Sequence, residues 1–207
     1  MNNLHIGICG IIGVGKTTLA KSLGQNLNLP TYYEPVIDNE YLSDFYRDPK
    51  RYGFNLQIYL LNKRFVQQQA IIWSGKGGVQ DRTIYEDQIF AKMLNKSGMI
   101  DDRDYKTYTE LFGNMSNFMK RPDLIIYLYC SVDESIKRIK NRNRDCEKNI
   151  SEEYITDLKN NYDEFILLIS KIIPTIKINW NEFKTTEEIS KKIIEEYNNV
   201  NFMKCIN

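Results

Sequence analysis

The hydrophobic positions of this chain fall into short apolar runs that alternate with longer stretches of helical spacing. Short apolar runs predict buried strands, and apolar residues that recur every three to four positions predict amphipathic helices. Strands are predicted at residues 4–9, 31–33, 78–81, 124–129 and 175–178. Helices are predicted at residues 15–28, 38–47, 53–73, 84–95, 102–119, 133–142, 151–171 and 185–198, followed by a frayed tail. This alternation predicts an α/β fold with a parallel sheet of about five strands flanked by helices.

The segment that joins the first strand to the first helix has the spacing of a phosphate-binding P-loop, G-x-x-x-x-G-K-S/T. Glycines allow backbone N–H groups to surround phosphate oxygens, and the N-terminus of the helix adds a positive partial charge. The lysine reaches the β- and γ-phosphates, and the hydroxyl after it is a magnesium ligand. A P-loop NTPase-like fold of three layers is therefore predicted. The residues predicted to bind ATP in this loop are Gly10, Gly13, Val14, Gly15, Lys16, Thr17 and Thr18, and Lys16 is also predicted to be catalytic.

Composition narrows the possible classes of protein. The 207 residues fit one domain, residues 1–207. The formal net charge of +1 indicates neither a nucleic acid nor a membrane surface as partner. No basic segment with an apolar stretch precedes the first strand, and the four cysteines are scattered without metal-binding spacing. A cytoplasmic location is therefore expected.

The predicted strands end in residues that can carry phosphoryl transfer, because ligands of such folds bind beyond the carboxyl ends of the strands. Glu34 follows the second strand in a Glu-Pro turn and is predicted to accept the proton of an attacking hydroxyl. Asp81 ends the third strand and is predicted, with Thr17, to hold Mg²⁺, while Arg82 clamps phosphoryl oxygens. The alternatives are a solvated glutamate and a local Asp–Arg pair that caps the next helix.

A cationic segment lies near the end of the helix predicted at 133–142. Arg138 and Arg142 are four residues apart on one helix face, and Arg144 follows them. An arginine segment over a phosphate site can close, exclude water and supply charge to the transition state. An Arg-rich lid is therefore predicted at about residues 138–150, the alternative being a solvated helix end with cations favoured by its dipole.

Taken together, these motifs resemble the deoxyribonucleoside kinase family over nearly the whole chain. Besides the P-loop and Glu34, the resemblance includes FYRDP at 45–49 before LQIY at 56–59, DRTIYED at 81–87 and the arginine segment. NEF at 181–183 resembles the adenine-binding loop of the family, with Glu182 and Phe183 implied in ATP binding. The resemblance implies phosphorylation of a deoxynucleoside 5′-hydroxyl by Mg-ATP, and a homodimer formed through helices near 53–73 and 84–119. The short bacterial deoxyadenosine kinases are the most similar in overall look, so deoxyadenosine is favoured over deoxyguanosine and deoxycytidine.

The same resemblance implies a nucleoside site. Arg82 would bind the 5′ end beside Glu34, Tyr46 and Glu147 the 3′-hydroxyl, and Gln57 the base edge. Arg64 and Asp87 fall where relatives that prefer cytosine or purine bases carry an Arg–Asp pair, although a structural salt bridge is the alternative. Leu56 stands where relatives often have a stacking phenylalanine, so Phe90 is predicted to stack instead, and Cys146 replaces one acidic residue of the usual lid.

Two other functions share part of this pattern. A nucleoside monophosphate kinase of the thymidylate kinase type has a P-loop and an Asp-Arg pair, but Glu34 would repel its anionic acceptor. The Gly-Gly-Thr that follows the turn in thymidylate kinases is replaced by residues 36–38, Val-Ile-Asp. A nucleotide switch would need Asn-Lys-x-Asp, which the chain lacks.

Overall fold

The structure is a computed structural model, and it describes residues 3–34, 39–144, 147, 150–182 and 185–206. Its strands are β1 (His5–Cys9), β2 (Thr31–Tyr32), β3 (Gly78–Asp81), β4 (Leu124–Tyr129) and β5 (Thr175–Asn179). Its helices are α1 (Lys16–Leu27), α2 (Leu42–Arg47), α3 (Pro49–Ser74), α4 (Asp87–Lys96), α5 (Asp102–Asn117), α6 (Val132–Arg142), α7 (Glu152–Ile169) and α8 (Thr186–Ile206). A short 3₁₀ turn, Ile84–Glu86, precedes α4.

The five strands form one parallel sheet in the order β2-β3-β1-β4-β5. The central strand β1 pairs with β3 on one side and with β4 on the other, so that Ile8 lies between Asp81 and Ile126. All five residues of β1 are buried, as expected for a strand covered on both faces. The predicted α/β fold with a five-stranded parallel sheet flanked by helices is confirmed.

The register brings the ends of β1 and β3 together at one edge of the sheet. The P-loop leaves this edge from β1, and Asp81 and Arg82 leave it from β3. The main hydrophobic core covers the sheet, while two smaller clusters lie among α2, α3, α4 and α5. The place where the P-loop, Asp81 and Arg82 meet therefore lies between the sheet and the layer formed by α2, α3, α4 and α5.

Helix α3 begins four residues before the predicted position because local chemistry starts a helix there. The Asp48 side chain accepts a hydrogen bond from the Arg51 N–H at 3.2 Å, and Pro49 occupies the first helical position, where it needs no N–H partner. Helix α8 extends to Ile206, beyond the predicted helix end at residue 198. No helix in the described ranges combines the length and apolar character that crossing a membrane requires.

Candidate active site

The P-loop has a backbone that only glycine can supply at two positions. Gly10 and Gly13 have φ values of 146° and 77°, in the region that L side chains rarely adopt. A Cβ atom on Gly10 would lie 2.4 Å from the Leu128 carbonyl oxygen, and one on Gly13 would lie 2.7 Å from that of Ser135. The loop is therefore held tightly between β4 and α6.

Lys16 begins α1 with its ammonium group turned back over the loop. Its Nζ donates to the carbonyl oxygens of Gly10 and Ile11, both at 3.0 Å. Burial lowers the pKa of Lys16 to about 8, and the charge of Arg82 adds to this effect, while Asp81 and Glu34 oppose it. The ammonium group stays protonated at neutral pH and is desolvated, so its charge acts strongly on any anion bound in the loop.

Thr17 and Asp81 form a pair of oxygen groups that suits Mg²⁺. The Thr17 hydroxyl donates to Oδ2 of Asp81 at 2.5 Å, and the buried Oδ1 of Asp81 has no hydrogen-bond partner among the described residues. Mg²⁺ is often held by one or two protein oxygens together with phosphates and waters. Within the described ranges no three His, Cys, Asp or Glu side chains cluster as metal ligands, so phosphates and water would have to complete the coordination.

Glu34 lies between two arginines beyond the end of β2. Its Oε1 is 2.5 Å from a terminal nitrogen of Arg64 and 2.9 Å from Nε of Arg82. Burial would raise the pKa of Glu34, but the charges of Arg82 and Arg64 outweigh burial and lower the pKa to about 2. Glu34 is therefore ionised at neutral pH and can only accept hydrogen bonds.

Arg82 follows β3 in a strained conformation. Its φ of 70° is in the left-handed region, which costs free energy for a residue with a side chain. Its N–H donates to the Ile8 carbonyl at 3.0 Å, and its guanidinium lies 4.9 Å from the centroid of the Phe90 ring. Phe90 thus makes a cation–π contact with Arg82. It also lines the cavity, where it was predicted to stack on a base.

Arg64 and Asp87 join α3 to α4 through a direct ion pair in which both side chains are buried. The predicted pair therefore exists as a helix–helix salt bridge. Arg64 also lines the cavity, so the pair holds in place one side chain of its wall. Gln57, about two turns earlier on α3, is buried with its Oε1 lacking a partner among the described residues. Such an orphaned amide oxygen at the cavity wall can accept a hydrogen bond from a ligand.

The arginine segment is organised by specific contacts. Arg138 donates to the carbonyl oxygens of Val14, Trp180 and Asn181 at 2.8–2.9 Å, and it also pairs with Glu134. Arg138 therefore connects the P-loop with the segment after β5, a role that the sequence did not predict.

The end of the segment carries a second group of contacts. Arg142 and Arg144 both pair with the buried carboxylate of Glu147, Arg144 at 3.3 Å. Glu182 is exposed, while Phe183 and Cys146 lie outside the described residues.

One cavity of about 850 Å³ joins these groups. Of the described residues predicted for the site, Gly10, Val14, Asp87 and Glu182 do not line it. Asp87 lies behind Arg64, and Val14 is buried with its carbonyl bonded to Arg138. Lys21, Asn141 and Tyr154 also line the cavity and were missed. Lys21 could have been found, since it follows Thr17 by one helical turn.

A P-loop, a Thr–Asp oxygen pair and an arginine-bound carboxylate in one cavity define a phosphotransferase of the P-loop class. Comparison with known proteins places the chain within that class. The family model for deoxynucleoside kinase matches residues 6–201, and the chain belongs to the deoxynucleoside kinase family.

Individual relatives agree with the family assignment. The chain is 62% identical to deoxyadenosine kinase of Dictyostelium discoideum over 207 residues, covering 100% of this chain and 84% of the relative. It is 42% identical to deoxyadenosine/deoxycytidine kinase of Bacillus subtilis, covering 79% and 77% of the two chains. Deoxyadenosine kinase of M. mycoides, solved with bound dCTP, superposes with a TM-score of 0.82 at 32% identity, covering 95% of this chain and all of the other. The chain is thus a deoxynucleoside kinase, and the thymidylate kinase alternative is not supported.

Proposed function

We propose that this kinase transfers the γ-phosphoryl group of Mg-ATP to the 5′-hydroxyl of deoxyadenosine, with deoxyguanosine and deoxycytidine as further substrates. The observation that carries the proposal is the position of Glu34, an ionised carboxylate held by two arginines in the same cavity as Lys16 and the Thr17–Asp81 pair. The preference for deoxyadenosine rests on the relative at 62% identity, which is a deoxyadenosine kinase.

Proton removal and charge stabilisation are carried out by different residues. Glu34 accepts a hydrogen bond from the 5′-hydroxyl and takes its proton. A pKa of about 2 makes Glu34 a weak base, but the loose transition state of phosphoryl transfer demands little proton removal before the phosphorus–oxygen bond forms. Lys16 and Arg82 stabilise the charge on the transferred group.

The metal and the remaining contacts follow from the same cavity. Thr17 and Asp81 would hold Mg²⁺, which neutralises phosphate charge when bound. Tyr46 and Glu147 bind the 3′-hydroxyl, Gln57 the base edge, and Phe90 packs on the base. When ATP binds, Arg142 and Arg144 exchange part of their pairing with Glu147 for contacts with phosphate oxygens. They thereby act as a lid over residues 138–150, within a single domain of residues 1–207.

The same proposal includes a homodimer and a cytoplasmic location. Val66 and Trp73 are exposed on one face of α3, and Leu111 and Phe118 are seven residues apart at the end of neighbouring α5. Trp73 is 76% exposed and Phe118 90% exposed, which is unusual for side chains of this size. A second copy of the chain would cover this face. Cys9 and Cys130 are free thiols, in agreement with a reducing compartment.

The test is phosphate transfer from ATP to deoxyadenosine, deoxyguanosine, deoxycytidine, thymidine and deoxyadenosine monophosphate, measured with and without Mg²⁺. Deoxyadenosine is expected to be phosphorylated with the highest kcat/KM, and Lys16→Ala is expected to abolish transfer to every acceptor. Transfer to the monophosphate but to none of the nucleosides would contradict the proposal.

Glu34→Gln tests the catalytic assignment separately. The variant is expected to lower kcat by roughly 10²–10⁴-fold, the usual contribution of a positioned general base. Deoxyadenosine should still bind, as measured by calorimetry, because the amide retains an acceptor oxygen. Glu110→Gln, at an exposed position on α5, is the control. Turnover by Glu34→Gln within twofold of the control would remove Glu34 from the mechanism.

A further inference from the structure

Glu86 is a fully buried carboxylate that the phosphoryl-transfer scheme does not use. It ends the 3₁₀ turn before α4, and its Oε1 accepts the Thr83 N–H at 2.9 Å. Its Oε2 accepts the Gly10 N–H at 3.4 Å and lies 3.2 Å from a terminal nitrogen of Arg82. One side chain therefore contacts the first glycine of the P-loop and the arginine of the reaction site.

Tyr162 on α7 completes this arrangement from the opposite side. Its hydroxyl donates to Oε2 of Glu86 at 2.6 Å and also accepts from the Arg82 guanidinium. Its ring is fully buried, stacked on Tyr127 at 6.1 Å between centroids and edge-on to Phe90 at 6.3 Å. Since the contacts with Tyr127 and Phe90 hold the ring, the position of the hydroxyl is held as well.

The contacts of Arg82 then fall into two sets. Its Nε lies 2.9 Å from Oε1 of Glu34 at the cavity, and a terminal nitrogen donates to Glu86 and Tyr162. An arginine that must meet a transferring phosphoryl group within a fraction of an ångström gains rate from such preorganisation.

We infer that Glu86 and Tyr162 are positioning residues. By accepting hydrogen bonds from one terminal nitrogen of Arg82, they keep the rest of its guanidinium beside Glu34 and the phosphoryl group. The inference rests on the proposed function, because Arg82 must act on the reaction for its orientation to matter. It adds two residues with no assigned role, one of them supplied by α7, the helix that follows the lid. A core role alone, in which the two side chains only satisfy each other, is the competing explanation.

The first experiment compares Tyr162→Phe with Tyr127→Phe. Both changes remove one hydroxyl and keep the stacked rings, but the Tyr127 hydroxyl bonds to Asp163 instead of Arg82, at 3.0 Å. Tyr162→Phe is expected to lower kcat for deoxyadenosine about tenfold, as expected when one hydrogen bond to a charged group is lost, while both KM values stay within twofold. Tyr127→Phe is expected to retain wild-type kcat. Equal kcat values for the two variants would overturn the inference.

The second experiment separates positioning from a core role. In an Arg82→Lys background the guanidinium is gone, so Tyr162→Phe is expected to cause no further loss of kcat. A tenfold loss in both backgrounds would mean that the hydroxyl acts independently of Arg82 and would overturn the inference. Glu86→Gln, which keeps the shape of the side chain and removes its charge, provides a second variant. Its kcat is expected to fall at least tenfold with KM for ATP little changed.

These outcomes remain distinct from a failure of the proposed function. If wild-type protein does not phosphorylate deoxyadenosine, the proposed function fails. If the wild type is active and Tyr162→Phe matches it in kcat, only the positioning inference fails. Thermal unfolding of each variant, judged against Tyr127→Phe, shows whether a lower rate comes from unfolded protein.

Discussion

At the scale of single residues, Arg64 contacts two carboxylates that have different proposed roles in the site. Its guanidinium contacts Asp87, which lies behind it on α4, and Glu34, which is proposed to accept the proton of the 5′-hydroxyl. Removing one partner from such a buried group leaves an uncompensated charge, which costs about 3–5 kcal/mol. Changes in base preference are therefore expected to require paired substitutions.

The paired change Arg64→Val with Asp87→Ala is expected to shift preference toward thymidine. The smaller apolar side chains leave room for the 5-methyl group and remove the donors and acceptors that suit an exocyclic amine. The ratio of kcat/KM for thymidine to that for deoxyadenosine should rise at least tenfold, measured by competition between the two nucleosides. Lys92→Ala with Glu164→Ala removes an exposed ion pair and is the control. An unchanged ratio would leave Arg64 and Asp87 as a structural pair only.

The predicted site residues that the structure brings together share a simple property. The structure brings Glu34, Asp81 and Arg82 together because each follows the carboxyl end of a parallel strand, where topology alone brings side chains close. Glu86 and Tyr162 could not be predicted in the same way. They lie 76 residues apart, and only the packing of α7 against the 3₁₀ turn makes them neighbours.

At the scale of secondary-structure elements, Arg138 on α6 connects two loops that leave different strands. Its bonds to the carbonyl oxygens of Val14 after β1 and of Trp180 and Asn181 after β5 fix both loops relative to α6. The P-loop and the segment implied in adenine binding are therefore both attached to one helix.

Arg138→Lys is expected to raise KM for ATP about tenfold while KM for deoxyadenosine stays within twofold. Lysine retains the charge but cannot reach three carbonyls and Glu134 in fixed directions. Steady-state kinetics with each substrate varied in turn measure the effect, and Lys140→Arg on the exposed side of α6 is the control. Equal increases in both KM values would show that Arg138 does not act through the ATP side.

Prediction of the elements themselves succeeded where burial pattern decides the structure. The bounds of β3 and β4 were predicted correctly, and for β4 the reason is an unbroken apolar run in a fully covered strand, which has no competing period. The first residues of helices were predicted less accurately, as α3 shows, because a single capping side chain such as Asp48 determines where the first turn begins.

At the scale of the whole molecule, a buried histidine ties stability to pH. His5 Nε2 lies 3.0 Å from Oε1 of Gln80, and its Nδ1 has no partner among the described residues. Burial lowers the pKa of His5 to about 4, so the folded protein keeps this side chain neutral. Below pH 6.5 the unfolded chain gains a proton that the folded chain does not, and stability falls until the pH reaches about 4.

His5→Gln is expected to remove this pH dependence. The free energy of unfolding, measured in urea at pH 7.5 and pH 5.0, should fall by about 1–2 kcal/mol more for the wild type than for the variant. Asp81 and Glu86, whose raised pKa values give the opposite slope, are common to both proteins and cancel in the comparison. Identical slopes would show that His5 is protonated in the fold.

The exposed apolar face of α3 and α5 leads to a prediction about assembly. Trp73→Asp is expected to convert the proposed homodimer to a monomer, because the charge would be desolvated in the interface. Light scattering coupled to size exclusion measures the mass. Leu168→Asp, at a 56% exposed apolar position on α7, is the control and should remain dimeric. A monomeric wild type would contradict the proposed assembly directly.

The cavity wall opposite the P-loop has a consequence for how such an enzyme changes over evolutionary time. Apart from Glu147, the residues proposed to bind the nucleoside come from one continuous stretch, 34–90, whereas those for ATP come from the flanking parts of the chain. A single recombination event that replaces this stretch would carry most of the acceptor site into a new chain, together with Asp81 and Arg82, and would leave the P-loop and the arginine segment in place. Residues 34–90 are thus a natural unit of exchange, which can be transferred into a chimaera from a relative with a different nucleoside preference.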